Sequence, residues 1–194
     1  MNPLPARFYA RPAALVARSL LGHYLLSDVG GRRTAGVIVE TEAYVGPDDP
    51  ACHAWGWRRT PRTEPLYGPP GTAYVYFTYG MHWCLNAVTD RRGHPAAALI
   101  RALEPVQGIP VMRRRRGGVP DRELCAGPAR LCEALGVTGA LNGASMARGR
   151  LRILRNPHRG RPAVAVTPRI GVTRAADWPL RFVIAGSPWL SRSS

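Results

Sequence analysis

Residues 36–44 read GVIVETEAY, a run rich in β-branched side chains that predicts a strand. Two further runs, 72–79 (TAYVYFTY) and 84–89, predict a pair of strands joined through Gly80, and residues 97–103 predict a fourth after a turn at 91–95. Shorter candidates lie at 23–26, 150–154, 163–166 and 180–185. Helical spacing is sparser. Ala14, Leu15, Val16, Ser19 and Leu20 form one face of a helix over 11–21, with Pro12 suited to its first turn and Gly22 stopping it. A second helix is expected over 127–135, opened by Pro128. Residues 45–71 are polar and rich in Pro, Gly and Arg, which reads as a long functional loop. The run Arg113 to Gly118 (RRRRGG) reads as a mobile surface loop.

Strands outnumber helices and do not alternate with them. That pattern argues for an α+β fold: a single domain over residues 1–194, with a curved, mainly antiparallel sheet flanked by helices. No repeat or dividing linker interrupts it.

Charge changes the picture next. The chain has 27 basic residues against 12 acids, a formal net charge of +15, and every one of the 27 is arginine. A coding bias toward arginine explains the missing lysine but not the surplus, which points to a polyanion such as nucleic acid. Nothing reads as a secretory signal or a membrane span, so a cytoplasmic, nucleoid-associated monomer is expected. The four cysteines, Cys52, Cys84, Cys125 and Cys132, read as reduced thiols, the last two on one helix face. No histidine or cysteine spacing fits a metal site, and there is neither a GxGxxG nor a P-loop, so no metal and no cofactor is expected.

Two constellations could carry chemistry. By strand alternation Ile38, Glu40, Glu42 and Tyr44 share a face. Carboxylates so close raise one another's pKa unless a cation intervenes. They serve as a general base facing a groove or as partners for surface arginines, and periodicity does not separate the two acids. Tyr74, Tyr76 and Tyr79, with His82 and Trp83 behind them, form an aromatic strand end suited either to the core or to base stacking.

The blocks VETEAY (39–44), DDPACHA (48–54), PGTAYVYFTYGMHWCLN (70–86), LIRALEP (99–105), LCAGPARLCEALG (124–136) and RFVIAGSPW (181–189) resemble the alkyladenine (3-methyladenine) DNA glycosylase family, in its order and spacing. The resemblance implies a base-excision repair enzyme acting on double-stranded DNA with damaged purines. It places Glu42 as activator of the hydrolytic water, Glu40 as a supporting neighbour, and Arg101 and the Ile170 carbonyl as holders of that water. It implies a flipped base between Tyr76 on one side and Tyr44 and His53 on the other, with His53 also bonding the base edge. Asn86 would crowd the exocyclic amine of normal guanine. Tyr79, with neighbouring Met81, would meet the gap left in the duplex. Arg58, Arg59 and Arg62 are candidates for phosphate contacts. His82, Trp83 and the RRRRGG run depart from the family's pattern.

Two other readings make different predictions. A non-catalytic nucleic-acid-binding module would bind without releasing base and would not need Glu42. A sugar hydrolase using Glu40 and Glu42 would have little need of polyanion contacts.

Overall fold

A computed structural model of the chain describes residues 1–158, 160 and 162–192. Its elements run α1 (Ala6–Tyr9), α2 (Ala13–Leu20), β1 (Tyr24–Ser27), β2 (Thr34–Tyr44), β3 (Ala73–Thr78), β4 (His82–Thr89) and β5 (Ala96–Gln107). They continue with α3 (Ile109–Arg115), α4 (Pro128–Leu135), β6 (Leu151–Leu154), β7 (Val164–Thr167) and β8 (Arg181–Ile184). The eight strands form one sheet in the order β3-β4-β5-β2-β1-β6, with β8 added to β2 and β7 to β8. Every pairing is antiparallel. The α+β expectation holds. No helix among the described residues is long and apolar enough to cross a membrane.

Strand β2 organises the sheet. Its first half pairs with β1, its second half with β8, and β5 runs along its whole other edge. The ladder with β5 is irregular between Ile38 and Glu40, and again between Glu40 and Thr41. A bulge shifts the alternation by one residue and so turns the following side chains to the other face. Ile38 therefore joins the core under α2, with Ala13, Val16 and Ala17, and does not share a face with Glu40, Glu42 and Tyr44 as simple alternation implies. Thr41 and Ala43 also face α2, and the Thr41 hydroxyl donates to the Ala17 carbonyl at 2.8 Å.

The buried stripe of α2 is Ala13, Val16, Ala17 and Leu20, the i, i+3, i+4, i+7 pattern. Leu15, expected inside, is exposed. Strand β5 outruns its expected end at residue 103. Pro105, which lacks an N–H and so reads as a stop, sits opposite Gly36 beside another ladder irregularity.

The run Arg113–Arg116 is not a loop. It forms the last turn and C-cap of α3, which begins after Gly108 (φ 73°) and buries Met112. Four consecutive arginines carry no apolar period, so the helix was invisible in the pattern. Three of the four are engaged. Arg113 forms a bidentate pair with Asp121 at 2.7 Å, Arg116 pairs with Glu133, and Arg115 donates to the carbonyls of Ala134 (3.0 Å) and Val29 (3.2 Å). Cys132 lies on α4, but Cys125 precedes that helix, so the two thiols do not share a helix face. All four cysteines are free and buried.

Candidate active site

A cavity of about 440 Å³ opens on the face of the sheet away from α2. Tyr44 reaches it from β2, Tyr74 and Tyr76 from β3, Cys84 and Asn86 from β4, and Leu99 and Arg101 from β5. The loop after β2 contributes Cys52 and His53, and residues 170–174 close the remaining wall. The volume suits a nucleobase-sized ligand.

Glu40 and Glu42 are both fully buried, and their surroundings separate them. Oε1 of Glu40 accepts from Arg181 Nε (2.7 Å), Arg101 Nε (3.1 Å) and the Ser191 hydroxyl (2.8 Å), while Oε2 accepts from the Ser191 backbone N–H (2.7 Å). Two cations and a hydroxyl saturate it. Glu40 anchors the segment around Ser191 and fixes Arg101.

Glu42 lies directly behind the cavity wall. Its Oε1 accepts the Ile170 backbone N–H at 2.8 Å and lies 3.3 Å from Arg101 Nη1, and its Oε2 accepts the Tyr44 hydroxyl at 3.0 Å. Tyr44, Arg101 and Ile170 all line the cavity. Burial pushes the Glu42 carboxyl above the ordinary carboxylate range, with the Glu40 charge adding. The Arg101 charge and the two donors from Ile170 and Tyr44 pull the other way. Ile170, expected to act through its carbonyl, here contributes its N–H.

On the aromatic side, the rings of Tyr74 and Tyr76 share the strand face expected, 5.3 Å apart. His53 Nδ1 lies 2.8 Å from the Tyr74 hydroxyl, and its ring meets that of Tyr76 edge to face at 4.6 Å. A base stacked between two rings needs them about 7 Å apart, two van der Waals layers. As they stand, His53 and Tyr76 close that slot on each other. Loss of water around the His53 ring, with Arg62 and Arg58 nearby, lowers its pKa to about 4, so the ring is neutral. Asn86 is buried and donates to the Tyr74 carbonyl at 3.2 Å.

Tyr79 and Gly80 form the tip between β3 and β4, both left-handed, with φ 51° and 69°. The Met81 N–H closes the turn onto the Thr78 carbonyl at 3.2 Å. Two positive φ values suit Asn-Gly, and a tyrosine there is strained. Its side chain is 84% exposed and that of Met81 69%. Of the loop arginines, Arg59 is bound to Glu64 (2.7 Å) and lies over the Tyr67 ring. Arg62 lies 5.2 Å from the Tyr76 ring centroid, and Arg58 is exposed.

The model of the methylpurine-DNA glycosylase family matches residues 7–188. The chain belongs to that family. It is 45% identical to a Carboxydothermus hydrogenoformans protein over 97% of this chain and 98% of that one, and 47% identical to one from Myxococcus xanthus over 99% and 95%. A Chlorobaculum tepidum relative is 42% identical over 100% and 92%. The names of all three assign them provisionally as 3-methyladenine DNA glycosylases. As a member of the methylpurine-DNA glycosylase family, this chain is a DNA-repair hydrolase.

Several residues that hold this glycosylase's site together escaped the sequence reading. Arg169 and Asp49, both side chains fully buried, form a bidentate pair at 2.5 and 2.8 Å. Arg169 also donates to the Ala43 carbonyl (3.0 Å) and lies 4.8 Å over the Tyr44 ring, while Asp49 accepts the N–H groups of Val45 and Ala51. One ion pair thus ties the His53 loop, the Tyr44 ring and the segment carrying Ile170. Arg181 and Ser191 do the same for Glu40. Asp49 and Arg181 fall within the DDPACHA and RFVIAGSPW blocks, but nothing there marks them as ion-pair partners; Arg169 and Ser191 lie outside the blocks, and an arginine in a polar stretch reads as surface.

Proposed function

We propose that this chain excises alkylated and deaminated purines, of the 3-methyladenine, 7-methylguanine, ethenoadenine and hypoxanthine kinds, from duplex DNA. It flips the damaged nucleotide into the 440 Å³ cavity and hydrolyses its N-glycosidic bond with a water activated by Glu42. The observation that carries the reading is Glu42 itself. It is a buried carboxylate with no saturating counter-ion of its own, behind a wall of aromatic rings, with Arg101 shared between it and Glu40.

A base cannot be reached inside the stack, so it is extruded, at a cost of a few kcal/mol. Tyr79 and Met81, exposed on a strained turn, fill the gap in the duplex, and Arg58 and Arg62 hold phosphates. The purine enters between Tyr76 and Tyr44 as His53 swings off the Tyr76 face. With the Tyr74 hydroxyl on Nδ1, the neutral imidazole offers Nε2 to the base edge. Asn86 at the cavity floor crowds an exocyclic amine at the purine 2-position. Bond cleavage builds positive charge on the sugar, and an ionised Glu42 both opposes that charge and takes the water's proton. Its raised pKa makes it the stronger base. Arg101 and Ile170 orient the carboxylate and the water.

The chain has no lysine side chain to form a Schiff base with the opened sugar, which leaves its N-terminal amine as the one other candidate, so an abasic strand left intact is the expected product. The test is incubation with methylated genomic DNA and with duplexes carrying one ethenoadenine or hypoxanthine. Free base with an uncut strand is expected, and binding without any base release would overturn the reading.

A further inference from the structure

The loop that carries His53 continues into a short 3-10 turn, Trp55–Trp57, and both tryptophans point outward, 48% and 56% exposed. Large exposed rings on a rigid backbone are unusual, and this backbone is pinned. Ala54 beside them is fully buried, the Trp55 N–H bonds the Cys52 carbonyl at 3.1 Å, and the Gly56 N–H bonds Pro47 at 2.9 Å. Gly56 and Trp57 are both left-handed, φ 63° and 64°, a conformation a bulky residue rarely holds. Trp57 is braced edge-on by His94 at 6.0 Å.

Among the described residues, the charged partner of the Trp55 ring is Arg174. The Arg174 guanidinium lies 4.8 Å over its ring, and Arg174 also lines the mouth of the cavity. The stack therefore begins at the cavity lining and ends at an indole that is about half exposed. Its surroundings are cationic: Arg58, Arg62 and Arg174 are exposed, and of the acids in this loop Asp49 is consumed by Arg169 and Glu64 by Arg59, which leaves Asp48.

We infer that Trp55, backed by Arg174, is a stacking platform for an unpaired DNA base next to the flipped one, and that this chain takes single-stranded or locally melted DNA as well as duplex. The inference rests on DNA being the polymer acted on. Inside a duplex every base face is covered by its neighbours, so an outward indole finds only sugar and phosphate there. An unpaired strand offers bare π-faces, and a ring with a cation behind it and cations beside it suits both the base and its phosphate. The site is distinct from the cavity in which the damaged base is cut, and continuous with it through Arg174.

The experiment compares the affinity of the whole chain, and of its Trp55→Ala and Trp55→Phe variants, for one abasic-analogue oligonucleotide, single-stranded and annealed. Stacking one base on an aromatic is worth about 1–3 kcal/mol, roughly a 5- to 150-fold change in affinity. Trp55→Ala is expected to lose that much on the single strand and far less on the duplex, and Trp55→Phe to recover most of it. An equal loss on both forms, or no loss on the single strand, overturns the inference. Base release from a lesion duplex by the unmodified chain is scored separately. If that release fails while the single strand still depends on Trp55, the glycosylase mechanism falls and the platform stands.

Discussion

The Tyr44 hydroxyl donates to Glu42 Oε2 at 3.0 Å, from two residues further along the same strand face. The ring proposed to stack on the base is thereby also a donor to the proposed catalytic carboxylate. That hydrogen bond favours the ionised form and opposes the effect of burial. Tyr44→Phe keeps the ring and removes the donor. Base release at neutral pH is expected to fall roughly two- to tenfold, the worth of one net hydrogen bond. The acid limb of the pH–rate profile should move upward as the Glu42 carboxyl rises further. An unmoved acid limb would show that another group sets it.

The two glutamates should fail in different ways. Glu42→Gln is expected to cut single-turnover release from an ethenoadenine duplex by about 10²–10⁴ while preserving binding to an abasic analogue. Glu40→Gln strips the counter-charge from buried Arg181 and half of it from Arg101, a class of change that costs about 3–5 kcal/mol. It should appear as a lowered Tm with chemistry much less affected at permissive temperature. If Glu40→Gln is folded and dead while Glu42→Gln works, the roles are reversed.

Glu42 also gives stability a pH dependence of known sign. Its carboxyl holds a proton more tightly in the folded chain than in the unfolded one, because burial raises its pKa. The unfolded state releases that proton first, so this residue's contribution is full below the ordinary carboxylate range. It is lost as pH rises through the raised value. Glu42→Gln cannot ionise. Measured by denaturant melts, its stability relative to the parent should climb across that window and then level off. A difference independent of pH would contradict the buried, raised carboxyl.

Tyr79 holds a left-handed conformation that costs an ordinary side chain on the order of 1–2 kcal/mol, and Gly80 follows it. Tyr79→Asn matches the turn's demand. The variant should melt higher, yet capture extrahelical lesions more weakly, with non-specific duplex binding nearly unchanged. A loss of stability would mean the exposed ring packs on something the fold needs.

The Arg169–Asp49 pair is the last test. Arg169→Ala leaves Asp49 charged and buried, and a loss of about 3–5 kcal/mol is expected. Arg169→Lys keeps the charge but not the bidentate grip, and should fall between. Base release should drop in both even below the melting range, since the Tyr44 ring and the Ile170 N–H lose their support. Full activity in a folded Arg169→Ala would separate the pair from the site.

Local pattern carried much of the architecture and the aromatic side of the cavity. The strand over 36–44, the pair around Gly80, the strand from 97 and the helix from 128 lie where alternation and turn residues put them, because each depends on which side of a short segment is apolar. The arginine surplus needed no coordinates either. The motif blocks marked the family, and within them Tyr44, Tyr76, Asn86 and Arg101 do line one cavity. Alternation failed at Ile38, because a bulge is set by how β2 meets β5 and not by β2 alone. It failed again at the arginine run, whose partners Asp121, Glu133 and Ala134 come from other elements. The two glutamates make the division plainest. On the strand they are alike, two residues apart on one face with Thr41 between them. What distinguishes them is an arginine 141 residues away and a serine 151 residues away that saturate Glu40, and a backbone N–H 128 residues away that reaches Glu42. Desolvation and charge pairing depend on which distant segments close over a group, and only the folded chain brings them there.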